Sequence, residues 1–208
     1  MNASAEIAAI AARLVVDEGM EYAGAKRRAA RDLGARVALP GNEEVEDAVR
    51  EHIALFHAET QPAELHALRA LALQWMERLA EFRPHLSGAA WRGTATRLSA
   101  LHLDLYCDDS KAPEIALVNA GIDYDGAALD RPGRREPLPL LTLAAPCPAL
   151  GAPVTLHLLL HDADEQRGAL KPDARGRSWR GDAAALRRLI QADGSGPASP
   201  QAANQDPP

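Results

Sequence analysis

The centre of this sequence is the segment His85–Asp109, which reads HLSGAAWRGTATRLSALHLDLYCDD. A short apolar run is interrupted at Gly88, and a loop of small residues follows that carries Arg92 and Arg97. From residue 101 to 108 the side chains alternate between apolar and polar, and a period of two over that length predicts a half-buried strand. A strand, a glycine loop with basic residues and a second strand with polar residues on one face are the layout of a phosphate and metal site.

Length and composition are those of an ordinary globular chain. The 208 residues fit one compact domain, or a small domain with a helical cap. A hydrophobic fraction of 47% against 25% charged residues argues against a disordered chain. The net charge of −6 gives no strong nucleic-acid signal, because it excludes a global field that would attract polyanions or an anionic membrane.

Three features of the sequence concern its compartment. The cysteines Cys107 and Cys147 have no CxxC or metal-ligand spacing, which favours a reducing compartment. The N-terminus lacks the basic segment that precedes the apolar stretch of a signal peptide. No apolar run is long enough to span a bilayer. We therefore expect a cytoplasmic protein without membrane contact.

Residues 1–84 are predicted to form a helical region. Residues 4–33 read as two helical pieces that are separated at Gly19. Asn42 begins a third helix with an acidic first turn, and a longer helix starts near Pro62. We expect the third and fourth helices to form an antiparallel hairpin. A protein partner would bind through this helical region.

Three histidines of the helical region, His52, His57 and His66, raise the question of a metal site. No two of them are spaced i, i+4, the separation that places two side chains on one face of a helix. The sequence therefore argues against a bound metal in this region.

Residues 85–192 are predicted to form an α/β region around the central segment. The expected elements are a helix over 112–119, a strand at 122–125, a hairpin of strands 138–145 and 154–161, and a helix over 182–191. Residues 193–208 are expected to be a disordered tail because they lack large apolar side chains. The whole predicts an α+β fold in which the helical region packs on a small mixed β-sheet.

The central segment resembles the sequence motif of the nucleotidyltransferase superfamily. The residues that carry the resemblance are Leu86–Arg97, an apolar strand followed by a glycine, a small residue and an arginine–glycine loop. A strand with alternating polar residues comes next, as in the family. The resemblance covers the central segment well and extends over residues 85–161 by the order of the elements. It implies a sheet of nucleotidyltransferase-like form.

For ligand binding, the resemblance implies a nucleotide held by two glycines and two arginines. Glycine lets backbone N–H groups approach a triphosphate, and arginine pairs with phosphate oxygens. The nucleotide-binding residues implied in this way are Gly88, Arg92, Gly93 and Arg97.

For catalysis, the family uses two acids on the second strand and a third acid from a nearby strand to hold two metal ions. One register places Ala100 and His102 at the acidic positions, and the other places His102 and Asp104 there. By element order, Asp123 or Asp125 supplies the third acid. The resemblance thus implies Asp104 and His102 as catalytic residues, and Asp104 and Asp123 as ligands of Mg²⁺. Because Mg²⁺ prefers hard oxygen ligands to imidazole, we expect impaired catalysis.

Three functions stay open at this level. The first is a catalytically impaired relative of the nucleotidyltransferases that binds a nucleotide or acts in regulation. The second is an active enzyme that transfers a nucleoside monophosphate to a protein or a small molecule. The third is a non-enzymatic protein-interaction module. An ordinary structural interpretation also stays open, in which Gly88 and Gly93 serve turns and the polar residues of the strand face solvent.

Two further groups of polar residues are expected on the surface. His157 and His161 share a face of the second hairpin strand, where solvent exposure is more common than a metal site. An arginine cluster precedes the last helix and is expected in a solvated loop; it comprises Arg175, Arg177 and Arg180.

Overall fold

The computed structural model describes residues 3–34, 37–131, 133, 136–169, 176 and 178–194. Within them the chain forms eight α-helices and one six-stranded sheet, so the predicted α+β class is confirmed. The helices are α1 (Ala3–Glu18), α2 (Tyr22–Asp32), α3 (Asn42–Phe56), α4 (Gln61–Arg78), α5 (Gly88–Arg92), α6 (Ala112–Asn119), α7 (Gln166–Ala169) and α8 (Ala183–Gly194). The strands are β1 (His85–Ser87), β2 (Leu101–Cys107), β3 (Asp125–Leu129), β4 (Leu138–Ala145), β5 (Val154–Asp162) and β6 (Arg180–Gly181). Among the described residues, no helix combines the length and the apolarity that crossing a bilayer requires.

The sheet is mixed, with the strand order β3-β4-β5-β2-β1-β6. β2 runs parallel to β5, and the other neighbouring pairs are antiparallel. The predicted β4–β5 hairpin is confirmed, whereas β3 begins at Asp125 rather than at Ile122. In this order β2 lies between β1 and β5, and β3 is not adjacent to it.

One face of the sheet is apolar and packs on α4 and α8. Leu103 and Leu105 of β2 and Leu158 of β5 are fully or almost fully buried there, together with Leu68 of α4 and Leu186 of α8. Burial of each leucine contributes about 2 kcal/mol. This core fixes the position of β2 and turns the polar side chains of β2 toward the opposite face.

The first three helices form a second core of their own. Ile7 and Leu14 of α1 pack there with Val45 and Val49 of α3. The predicted hairpin of α3 and α4 is therefore wrong, since α3 packs on α1 and α4 packs on α8 and the sheet. α4 is the longest of the described helices, and it covers the leucine face that the sheet would otherwise expose. The two cores thus divide between α3 and α4, ahead of the predicted boundary at residue 84.

A buried arginine connects the helices that cover the sheet. Arg69 of α4 donates hydrogen bonds to the carbonyls of Ala90 at 2.8 Å and Trp91 at 3.1 Å, at the end of α5. It also forms an ion pair with Asp193 of α8. The first residues of the predicted tail therefore belong to a helix, and residues 195–208 lie outside the described residues.

Candidate functional site

A cleft of about 260 Å³ lies between the turn at Gly88 and the connection from α1 to α2. Gly88 has a φ of 71°, in the left-handed region that favours glycine, and a Cβ atom there would lie 3.2 Å from Nδ1 of His102. The glycine therefore lets the backbone at the start of α5 lie close to the imidazole. Other polar residues that line the cleft are Glu21, Tyr22, Asn42, Ser87, Arg92 and Ser99.

Arg92 enters this cleft from the end of α5 and is held in place by α3. Its Nε lies 2.8 Å from Oε2 of Glu46, whose side chain is only 5% exposed. Its guanidinium lies over the rings of Tyr22 and Trp179, at 5.5 and 5.6 Å from the ring centroids. Arg50 pairs with the other oxygen of Glu46 at 2.8 Å. Arg92 is therefore a positioned cation, and the carboxylate that positions it has a second cationic partner.

The remaining two predicted nucleotide-binding residues lie outside the residues that line the cleft. Gly93 follows α5 with a φ of 84°, and its carbonyl accepts a hydrogen bond from Gln61 at 3.2 Å. Arg97 is exposed, and its backbone N–H donates to Glu64 at 2.9 Å. These contacts end a short helix and anchor the loop that leads to β2.

His102 lies at the edge of the cleft, beside a second histidine. The parallel register pairs His102 of β2 with His157 of β5, and their ring centroids are 5.0 Å apart. Burial and the charge of His102 lower the pKa of His157. Nδ1 of His157 lies 2.9 Å from the hydroxyl of Thr142, and Nε2 of His102 lies 3.8 Å from Glu21. His157 is thus half-buried and hydrogen-bonded, rather than a free surface residue.

Asp104 projects from the same face of β2 as His102 but belongs to a different set of contacts. It is only 3% exposed, and its Oδ1 lies 2.7 Å from Nε2 of His161 and 3.3 Å from Nη1 of Arg180. The same Nη1 donates to the hydroxyl of Tyr106 at 2.6 Å. Burial alone would raise the pKa of Asp104, but the hydrogen bond with His161 and the charge of Arg180 outweigh it and lower the pKa. The carboxylate is therefore ionised and neutralised by the protein.

This network extends outward through His161. Its Nδ1 lies 3.2 Å from Glu165, which pairs with Arg131 at 2.9 Å. The predicted surface position of His161 is wrong, because this residue bridges two carboxylates. The predicted solvated loop at Arg180 is also wrong, because this residue lies in β6 beside β1. The other arginines of the predicted solvated cluster, Arg175 and Arg177, lie outside the described residues.

The predicted metal ligands Asp104 and Asp123 are far apart. Asp123 is exposed and precedes β3, and two strands, β4 and β5, lie between β3 and β2. Three strand spacings amount to about 14 Å, which is too far for two carboxylates to hold one ion. The same distance excludes Asp125, the alternative third acid. The side chains that do flank β2 are the imidazoles of β5, so this donor set does not fit Mg²⁺.

The sequence thus predicted Gly88, Arg92 and His102 of this cleft, but not the residues that position Arg92. Tyr22 and Glu46 come from helices whose position beside α5 has no local signal. His161 had a visible signal in the alternation of its strand, but the contact with Asp104 depends on which strand lies beside β2. The arginine of β6 was visible only as part of a basic cluster.

Comparison of the chain with protein-family models, with curated proteins and with solved structures finds no match. The nucleotidyltransferase relationship therefore stays a prediction, and a function has to be derived from the geometry of the cleft and of the polar face of the sheet.

Proposed function

We propose that this chain is a non-catalytic, nucleotidyltransferase-like protein that binds the phosphate end of a nucleotide in the cleft beside Gly88. The observation that carries the proposal is that Gly88, Arg92 and His102 line one cleft. A glycine in a left-handed conformation leaves the backbone open to a ligand, and an arginine offers two parallel donors to phosphate oxygens.

Charge on the polar face supports binding without metal catalysis. The one buried acid of β2, Asp104, already has His161 and Arg180 as partners. In the cleft, the guanidinium of Arg92 would attract a phosphate directly, without a metal ion between protein and ligand. Transfer chemistry of the two-metal kind would instead require several free carboxylates.

The size of the cleft limits which part of the ligand it holds. A volume of about 260 Å³ is slightly below the range of about 300–1,000 Å³ that is usual for small-molecule pockets. The cleft therefore suits a phosphate and part of a ribose, and the base would extend toward solvent. We expect binding with little preference among the four bases.

Calorimetric titration with ATP, GTP, CTP and UTP, with and without Mg²⁺, tests the proposal. Binding of comparable strength is expected for all four nucleotides in the absence of metal. Arg92→Ala is expected to weaken binding by about 10-fold or more, since a hydrogen bond to a charged group contributes about 1.5–3 kcal/mol. This variant should fold, because Arg50 continues to neutralise Glu46.

Arg97→Ala is the matched control, because Arg97 belongs to the same loop but lies outside the cleft lining. Its affinity should equal that of the unmodified chain. Absence of heat and of thermal stabilisation with every nucleotide would exclude the proposal, and equal losses in both variants would exclude the cleft as the site. Binding that requires Mg²⁺ and releases pyrophosphate would favour an active transferase instead.

A further inference from the structure

A second cluster of ligand atoms lies away from the cleft, where the C-terminal turns of α1 and α3 meet. Oδ1 of Asp17 is 2.9 Å from Nε2 of His57 and 3.3 Å from Nε2 of His52. These three atoms all lie within 4.8 Å of one another. A single carboxylate oxygen of α1 thus faces two imidazole nitrogens at the end of α3.

The end of α3 explains how two histidines five residues apart come together. His52 belongs to α3, whereas His57 is the residue after its last position and has left the helical conformation, with φ −130° and ψ 15°. Its N–H still bonds to the carbonyl of Ile53 at 2.8 Å, so the chain stays close to the helix end. The argument from i, i+4 spacing assumed a continuous helix, and it does not apply to His57 because that residue has left the helical conformation.

We propose that Asp17, His52 and His57 form a binding site for a divalent transition-metal ion of the zinc class. Two imidazole nitrogens and one carboxylate oxygen are the ligand types that Zn²⁺ takes from proteins, whereas Mg²⁺ and Ca²⁺ prefer oxygen throughout. Each imidazole would bind through an unprotonated Nε2: a neutral ring keeps its one proton on Nδ1, and an imidazolium releases its Nε2 proton to solvent.

The distances suit such an ion. Tetrahedral bonds of about 2.0–2.1 Å separate ligand atoms by about 3.4 Å. The two oxygen–nitrogen distances are 2.9 and 3.3 Å and all three atoms lie within 4.8 Å of one another, so shifts of about 1 Å or less bring them to this separation. Three protein ligands leave one coordination position for water or an exogenous group.

Electrostatics and access at this place also favour a cation. The C-terminal turn of a helix carries a partial negative charge, and two such turns converge here. The side chains of Asp17 and His57 are 40% and 31% exposed, so an ion reaches the ligands from solvent without opening either core. A bound ion would connect the ends of α1 and α3 directly.

The test is a calorimetric titration of the full, tag-free chain with Zn²⁺ after treatment with a chelator. One ion per chain is expected, and Co²⁺ should give the intense visible absorption of tetrahedral coordination. Loss of an outer-shell partner typically costs 10–100-fold in metal affinity, so loss of a direct ligand should cost about 100-fold. His57→Ala and Asp17→Asn should both show this loss.

His66→Ala and His157→Ala are the matched controls. His66 is an exposed histidine of α4 outside the cluster, and His157 belongs to the sheet. Both should bind Zn²⁺ as the unmodified chain does, and Zn²⁺ should raise their melting temperature but not that of Asp17→Asn. The proposal fails if the chain does not bind Zn²⁺, if the Asp17 and His57 variants bind it unchanged, or if loss of His157 abolishes binding.

Discussion

The neutralisation of Asp104 leads to a quantitative prediction for Arg180→Met. Methionine keeps much of the apolar stem of the arginine and removes its guanidinium, so packing changes little while the charge is lost. In the variant the Asp104 carboxylate, which is 3% exposed in the unmodified chain, keeps its contact with His161, and the hydroxyl of Tyr106 loses its donor.

The size of the effect follows from the burial of the carboxylate. Removal of one partner of a buried ion pair costs about 3–5 kcal/mol. Because His161 still contacts the same oxygen, we expect the lower end, about 3 kcal/mol of unfolding free energy. For a chain of this length, a melting temperature lower by about 6–12 °C corresponds to that loss.

A double-mutant cycle with Asp104→Asn, followed by urea unfolding and circular dichroism, separates this effect from lost packing. In the Asp104→Asn background there is no buried charge to leave unpaired, so Arg180→Met should cost only about 1 kcal/mol there, the value of one neutral hydrogen bond. A coupling free energy of about 2 kcal/mol is therefore expected. If Arg180→Met costs the same in both backgrounds, the guanidinium does not neutralise Asp104 and the reasoning is refuted.

Three further predictions concern individual residues. Gly181→Ala should destabilise the fold by about 3 kcal/mol, because its Cβ would lie 2.0 Å from the ring of Trp91; an unchanged urea midpoint would contradict this contact. Gly88→Ala should lower the free energy of unfolding by about 1–2 kcal/mol, since the φ of 71° is unfavourable for alanine and the added Cβ would approach His102. Calorimetric melting measures this loss, which should be absent in Gly126→Ala, a substitution at an exposed glycine. The folded-state pKa of Asp104 lies below the unfolded value of about 3.9, so its ionised form stabilises the fold above that pH, and this contribution is lost as pH falls through the folded-state pKa. Urea midpoints measured between pH 6 and pH 3 should therefore fall less for Asp104→Asn than for the unmodified chain. Parallel curves for the two proteins would contradict the assignment.

The elements that depend on local pattern could be predicted from the sequence. The alternation in β2 and in β5 predicted strands, because a period of two over a segment of that length indicates a strand. The glycine at position 88 predicted a sharp turn for an equally local reason, the backbone conformation that glycine allows. Such features need no knowledge of the rest of the chain.

The contacts of the candidate sites could not be predicted in the same way. His161 and Tyr106 reach their partners Asp104 and Arg180 across 57 and 74 residues of chain. The hydrophobic stripe of α4 shows that the helix buries one face, but not whether a helix or a sheet covers it. The prediction of a half-buried β2 was wrong for the same reason, since Asp104 and Tyr106 on its polar face are buried by segments that come much later in the sequence.

The polar face of the sheet bears on the choice between nucleotide binding and metal-dependent transfer. Two metal ions bring four positive charges, and carboxylates are needed to hold them. On the polar face of β2 and β5 this chain has His102 and His157 side by side, and the buried acid of β2, Asp104, is already paired with Arg180. An added Mg²⁺ would have to displace Arg180 and His161 from Asp104, whereas a phosphate in the proposed cleft would find Arg92 already in position. The paired carboxylate disfavours a metal ion and the guanidinium in the cleft favours an anion, which is why we propose binding of nucleotides without catalysis.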